Sequence, residues 1–218
     1  MAELPFGEGL QVLESRTRIA SISTWTVIAS SVAMSVGEVL EATGTIDFEA
    51  LEPDGLTLLF VFVYMAYVVL FVASVILVSM WIHRAHANLF AAGLDGLEYT
   101  PGWSVGWFFI PFANLVKPFQ AMRELWNESH GADNSFGGAT PSSVGWWWGM
   151  FWAGNILSNV GTRIATGAPP GSDGAATGLF LSSAGGIVFA VGGWFLLTVM
   201  REVLDAQRNH LQVSQAFG

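Results

Sequence analysis

Residues 101–118 read PGWSVGWFFIPFANLVKP, and whether this stretch crosses a membrane decides the fold of the chain. Most of it is apolar, but three prolines and two glycines interrupt the run. Fifteen residues separate Pro101 from Lys117, which is fewer than the ~17–25 that a spanning helix needs. Pro111 would also break a helix near its centre. The stretch therefore predicts a hairpin that enters the membrane and returns, or that lies at its surface.

The composition of the whole chain indicates an integral membrane protein. Of its 218 residues, 52% are apolar and 11% are charged, whereas soluble domains carry about 25% charged residues. The net charge of -9 argues against a nucleic-acid partner. The lack of cysteine excludes disulfides, thiol nucleophiles and Cys-ligated metals. His83 and His86 are three residues apart without a neighbouring carboxylate, so we expect neither a metal nor another cofactor.

Four apolar segments predict an all-α, polytopic bundle of transmembrane helices. The clearest, residues 56–82, has no charged residue, and Trp81 near its end marks a membrane interface. A helical extension is expected to continue from it to about Gly93. We treat residues 1–218 as a single membrane domain, with these parts in chain order: a lead-in at 1–18, spans at about 19–40 and 56–82, the hairpin at 101–118, an interfacial helix at 119–129, spans at 144–164 and 175–200, and a tail at 201–218.

The positions of the basic residues favour four spans over five. If residues 101–118 do not cross, seven basic residues lie on the cytoplasmic side and one, Arg163, lies outside. If they do cross, the count is four on each side. The first arrangement follows the positive-inside rule and places both termini in the cytoplasm. Five spans stay an alternative, because a kinked helix running on into 119–129 would be long enough.

The aromatic and proline pattern around the opening stretch resembles a family of bacterial multi-pass membrane proteins, the domain of unknown function 4328 (DUF4328). The likeness covers roughly residues 56–208. Its motif residues here are Trp81, Arg84, Asn88, Gly93, Pro101, Gly102, Trp103, Trp107, Pro111, Asn114, Leu115, Pro118, Glu124 and Ser129, together with GWWWGMFW at 145–152. The resemblance implies a bacterial cytoplasmic (inner) membrane protein and implies no activity.

The prolines of the hairpin suggest one candidate polar site. In a helix, Pro111 would leave the carbonyl of Trp107 without a donor, and Pro118 would do the same for Asn114. Broken helices with free carbonyls form binding sites in many transporters. The alternative is structural, with Asn114 capping the next helix.

Charged residues near the cytoplasmic side form a second candidate cluster. Arg84, His86, Asn88, Arg123 and Glu124 are expected to lie near the hairpin, with Arg84 and Glu124 as an ion pair. Such a cluster could bind an anionic headgroup or could simply hold the hairpin to the second span.

Small residues repeat every four positions in the last two spans, which lets helix backbones approach closely. The predicted packing residues are Gly145, Gly149 and Ala153 in one span and Gly178, Ser182, Gly186 and Ala190 in the other. The short connection at 165–176 makes these spans antiparallel neighbours. Asn155 and Asn159, one turn apart, could bond across the pair or line a polar path.

Three functions remain open in this order. The first is a non-enzymatic accessory, scaffold or envelope component. The second is a small channel or transporter that uses segment 101–118. The third is an enzyme acting on lipid headgroups. The expected partners are the lipid bilayer and either a second copy of the chain or a larger membrane complex.

Overall fold

The computed structural model describes residues 4–48, 50–131 and 140–211, without the side chain of His210. These residues form helices and turns and contain no strand, which confirms the all-α prediction. The α-helices in chain order are α1 (Phe6–Ala42), α2 (Gly55–Ala91), α3 (Pro101–Gly106), α4 (Lys117–Ser129), α5 (Ser142–Gly167) and α6 (Asp173–Ala206). A π-helical turn at Gln207–Leu211 follows α6, and residues 212–218 of the predicted tail lie outside the described residues.

Local capping signals explain where α2 begins and ends. Asp54 caps α2 by accepting a 2.7 Å hydrogen bond from the backbone N–H of Thr57. At the other end, Gly93 has a φ of 78°, and the N–H of Leu94 reaches back to the carbonyl of Leu89. This is a glycine C-cap, which only a residue that tolerates positive φ forms without strain. The predicted extension of the second span to Gly93 is therefore confirmed.

Three of the described helices are long and apolar enough to cross a membrane: Phe6–Ala42, Gly55–Ala91 and Asp173–Asn209. In α2, only 6% of the residues in its apolar 18-residue segment are buried inside the protein. Its outward side chains include Phe62, 71% exposed, and Val69, 69% exposed, as expected of a face that contacts lipid. The fourth predicted span coincides with α5, which is not among the three because its glycine, asparagine and tryptophan content lowers its hydropathy.

Residues 101–118 do not form one helix. The six-residue α3 is followed by two 3₁₀ turns, Trp107–Phe109 and Ala113–Leu115, and α3 packs against α4. Ile110, which precedes Pro111, is extended, because proline disfavours the helical conformation in the residue before it. None of these pieces is long enough to span a membrane alone.

The described residues group into two compact units, and α1, α2, α5 and α6 contribute to both. The first comprises the described parts of Met1–Ser23, Ser74–Gly145 and Phe195–Gly218. Trp81 is fully buried in its core and donates from Nε1 to the hydroxyl of Thr17 at 2.9 Å, so it is not exposed at a membrane interface as predicted. Other fully buried core residues are Leu13, Leu89, Met122, Leu125, Val144, Val199, Met200 and Val203.

The second unit comprises the described residues of Thr24–Ala73 and Trp146–Trp194, and α5 and α6 meet in it as antiparallel neighbours. A Cβ added at Gly161 would lie 2.6 Å from the carbonyl oxygen of Gly178, and one added at Gly154 would lie 2.6 Å from the backbone nitrogen of Phe189. The helix backbones are therefore in direct contact at glycines.

The predicted packing stripes match this contact only in part. Gly178 and Ser182 lie at it, whereas Gly186 faces Ser31 and Ser35 of α1, and Ala190 is buried. On α5, the predicted residues do not make the contact: a Cβ at Gly149 would meet nothing within 4 Å, Gly145 is near only Thr140, and Ala153 is exposed. The contact instead uses the neighbouring face of α5, which carries Gly154, Ser158 and Gly161.

Candidate functional site

A cavity of about 360 Å³ with a mixed polar and apolar lining lies within the second unit. Each of four helices lines it with residues at helical spacing, so that one face of each points to the same space. The principal lining residues are Ser31, Ser35 and Glu38 on α1; Tyr64, Tyr67 and Phe71 on α2; Asn155, Ser158 and Thr162 on α5; and Ser182, Gly186 and Phe189 on α6. Every one of them falls inside a predicted span.

Glu38 is the acidic residue of this cavity. One of its carboxylate oxygens accepts a 2.6 Å hydrogen bond from the hydroxyl of Ser182. Within the residues that the structure describes, no basic side chain lies within ion-pair distance of it. A carboxylate at membrane depth requires a counter-charge or a proton. The cavity therefore presents an acidic group whose charge the described protein does not balance.

Serine hydroxyls hold the helices around Glu38 in register. Ser35 and Ser183 each donate to the backbone carbonyl of the other, at 3.1 and 3.0 Å. Ser31 donates to the carbonyl of Gly186 at 3.1 Å, and Ser158 to that of Ser182 at 3.2 Å. These bonds join α6 to both α1 and α5. The serine content of the first span thus serves interhelical hydrogen bonding, which is favoured in an apolar surrounding.

Aromatic rings form another wall of the cavity. Tyr67 stacks on Phe71 with ring centroids 5.9 Å apart, and Phe71 lies 6.3 Å from Phe189. The structure shows no hydrogen-bond partner for the hydroxyl of Tyr64 or Tyr67 among the described residues. A carboxylate, phenol oxygens and ring faces together favour a cation over an anion.

The predicted site in segment 101–118 has a different structure from the one expected. No helix runs through Pro111, so this proline does not free a carbonyl within a helix as predicted. Asn114 is half-buried in a 3₁₀ turn, and α4 begins without a side-chain cap, so Asn114 does not cap it.

The rings of Trp103 and Trp107 lie 4.9 Å apart, and Pro118 is buried in the first turn of α4. Pro101 opens α3 after the cap residue Thr100, and a Cβ on Gly102 would meet nothing within 4 Å.

The predicted Arg84–Glu124 ion pair does not form. The two carboxylate oxygens of Glu124 accept hydrogen bonds from the backbone N–H groups of Glu98, at 2.7 Å, and Tyr99, at 3.0 Å. Glu124 thus fixes the loop before α3. Burial raises the pKa of Glu124 above its usual range, although these two bonds act in the opposite direction. Arg123 beside it on α4 is half-buried.

Arg84 and Asn88 belong to a buried polar group in the first unit. Asn88 donates to the side-chain oxygen of Gln207 at 3.0 Å, and Gln207 donates to the hydroxyl of Ser129 at 3.1 Å. Gly9 of α1 packs directly on Asn88 and Arg84, where a Cβ would collide with the amide oxygen of Asn88. This group joins the ends of several helices, and among the described residues the buried Nε of Arg84 and Oδ1 of Asn88 have no hydrogen-bond partner.

The sequence shows each of the polar cavity residues within a predicted span, but it does not show that they line one cavity. Glu38 lies near the end of the first predicted span, Tyr64 and Tyr67 lie inside an otherwise apolar one, and Asn155 is polar in another. Their helical spacing would have placed each on a face. The spacing could not have shown that these faces of different helices meet, because the helical repeat within one segment does not determine which segment packs against it.

Comparison with known proteins supports the resemblance carried by the Pro/Trp motif. The family model described as domain of unknown function (DUF4328) matches residues 49–205. The chain is a member of the DUF4328 family. The match includes α2 to α5 and nearly all of α6, and it does not include Glu38 of α1. Neither the curated proteins nor the solved structures contained a match to this DUF4328 chain.

Proposed function

We propose that this DUF4328 protein is a non-enzymatic membrane protein of the channel or transporter type, and that it binds a small organic cation at Glu38. The observation that carries the proposal is the uncompensated carboxylate in a cavity built from four predicted spans. Intramembrane ionisable groups are costly and are generally kept for a function.

The chemistry of the lining suggests the class of solute. A volume of about 360 Å³ is larger than a bare metal ion requires and lies within the range of small-molecule sites. The faces of Tyr64 and Tyr67 would attract an ammonium group, and Glu38 would neutralise it. A proton would neutralise the same carboxylate. Exchange of a cation for a proton at one group is therefore the proposed mechanism.

The proposed topology has four spans, with α5 as the fourth. At ~1.5 Å per residue, its 26 residues extend about 39 Å, which exceeds the hydrocarbon thickness of ~30 Å. Its glycine contacts with α6 support membrane packing. The positive-inside count supports the proposal that both termini lie in the cytoplasm. The bacterial cytoplasmic membrane is proposed as the location because the family resemblance implies it.

Segment 101–118 is proposed to dip into the cytoplasmic face of the membrane without crossing. Apolar side chains at its turns are strongly exposed, most of all Phe112 at 86% and Phe109 at 67%. Phe112 also has a φ of 63°, an uncommon conformation for a residue other than glycine. Exposed apolar side chains on a tight turn are suited to insertion among lipids.

The cation site can be tested with tetramethylammonium. The full chain in detergent is titrated by calorimetry, and uptake of labelled tetramethylammonium is measured after reconstitution into vesicles. Glu38→Gln keeps the size of the side chain and removes the charge, so it should abolish both signals. Glu52→Gln, in an exposed loop outside the cavity lining, is the control and should retain them.

The competing functions give different outcomes. Equal binding in wild type and Glu38→Gln would overturn the cation site. If the wild type neither binds nor transports the probe, and a stoichiometric protein copurifies with it, the accessory or scaffold function replaces the transporter. A second copy as the partner would appear as a defined homo-oligomer in the same preparation.

The topology has its own test, since the native chain contains no cysteine. Single cysteines at Thr140 and Glu52, both exposed, are labelled in intact cells with an impermeant maleimide. Four spans predict labelling at Glu52 only. Labelling at both positions would support five spans.

A further inference from the structure

A groove of about 580 Å³ lies in the first unit, between the start of α1 and the end of α6. The hydroxyl of Ser21 lies 3.9 Å from the sulfur of Met200, which sets the contact between the two helices. The groove residues are Gln11, Glu14, Ser15, Thr17, Arg18 and Ser21 on α1 and Arg201 and Leu204 on α6. It shares no residue with the Glu38 cavity.

Two unpaired guanidinium groups give this groove a positive charge. Arg18 and Arg201 are exposed, and neither lies within 4.0 Å of a carboxylate in the described part of the chain. The acidic lining residue, Glu14, is already paired with Arg208 at 2.9 Å. The charge of the two arginines is therefore available to a ligand.

The groups around the groove match the chemistry of a phosphate. Guanidinium donors arranged as a planar fork bind phosphate oxygens in pairs. The hydroxyl of Ser15, also on the groove lining, adds a neutral donor. The carboxylate of Glu14 is already paired with Arg208, so an anion fits this groove better than a cation.

The positions of the arginines along the chain indicate where that phosphate comes from. Arg18 immediately precedes the predicted span at 19–40, and Arg201 immediately follows the one at 175–200. Both therefore belong at the level of lipid headgroups, where basic residues attract anionic lipids. We infer that the groove of Arg18 and Arg201 binds the phosphate of an anionic phospholipid headgroup. Free inorganic phosphate is the other source of the same chemistry.

The test compares lipid and free phosphate on the full chain in a neutral detergent. The melting temperature is measured while phosphatidylglycerol is added, with phosphatidylcholine and inorganic phosphate in parallel series. Phosphatidylglycerol should raise the melting temperature and phosphatidylcholine should not. Arg18→Gln and Arg201→Gln should each require about tenfold more phosphatidylglycerol for the half-maximal shift, since each removes charged hydrogen bonds.

Arg163→Gln is the matched control, because Arg163 is exposed and lies outside the groove. It should leave the phosphatidylglycerol response unchanged. A response that is the same in all three variants and the wild type would overturn the site. An arginine-dependent shift with inorganic phosphate that phosphatidylglycerol does not reproduce would overturn the lipid as its source.

Discussion

Ser182 of α6 donates a 2.6 Å hydrogen bond to the carboxylate of Glu38 on α1, although 144 residues separate them in the chain. The backbone carbonyl of Ser182 also accepts a bond from Ser158 of α5 at 3.2 Å. One residue therefore connects three helices around the acidic group of the cavity. Its hydroxyl stabilises the carboxylate that would meet a bound cation.

Ser182→Ala should weaken tetramethylammonium binding about tenfold, because it removes a hydrogen bond to a charged group. Calorimetric titration in detergent measures the affinity. Thr177→Ala is a suitable control, since that exposed hydroxyl donates to the carbonyl of Asp173 in its own helix and lies outside the cavity lining. An unchanged affinity in Ser182→Ala would mean that the hydroxyl does not tune the site.

Gly161→Ala should destabilise the protein by about 1–3 kcal/mol, the usual cost of overpacking a close contact. Its Cβ would press on the backbone of Gly178 and Ser182. Gly149→Ala on the same helix has open space and should be neutral, or should stabilise by up to about 1 kcal/mol through helix propensity. Thermal unfolding in detergent compares them, and equal effects would contradict the α5–α6 contact.

Gly9→Ala should also destabilise by about 1–3 kcal/mol, because its methyl group would collide with the amide of Asn88. Asn88 cannot move away without losing its bond to Gln207. Gly7→Ala, with nothing within 4 Å, is the control for helix propensity.

A double-mutant cycle separates the collision from other effects of Gly9→Ala. In an Asn88→Ala background the same substitution should cost less, since the obstructing amide is gone. Strict additivity of the two changes would rule out the proposed collision.

The stability of the protein should fall as the pH rises through the titration range of Glu124. Burial raises the pKa of this carboxyl, so over that window the folded chain holds a proton that the unfolded chain has released. Its contribution is therefore largest below the ordinary carboxyl pKa and levels off above the raised one. Unfolding followed over an acid-to-neutral pH series measures the slope.

Glu124→Gln should flatten this pH dependence, because the amide does not titrate. Glu52→Gln, in an exposed loop, serves as the control and should keep the slope of the wild type. If Glu124→Gln has the same pH dependence of stability as the wild type, the dependence comes from another titrating group.

The elements of the fold were largely predictable, because their signals are local. Apolar runs indicated α2 and α6, and Gly93 indicated the end of α2. Pro111 indicated that residues 101–118 are interrupted. For α5, the sequence predicted the position of the helix along the chain but not the face that packs on α6. Small residues lie on more than one of its faces, and the one that carries Gly149 does not contact α6.

The sequence by itself determined that this is a helical chain with membrane-spanning character and a Pro/Trp motif that identifies its family. Helix period, caps and hydropathy depend on neighbours within a few residues, so they can be read along the chain. Only the tertiary structure decided that Glu38 meets Ser182 and that Glu124 binds the loop at Glu98 in place of Arg84. These contacts depend on which faces of distant segments meet and in what register, and neither is determined by residues that are close together in the chain.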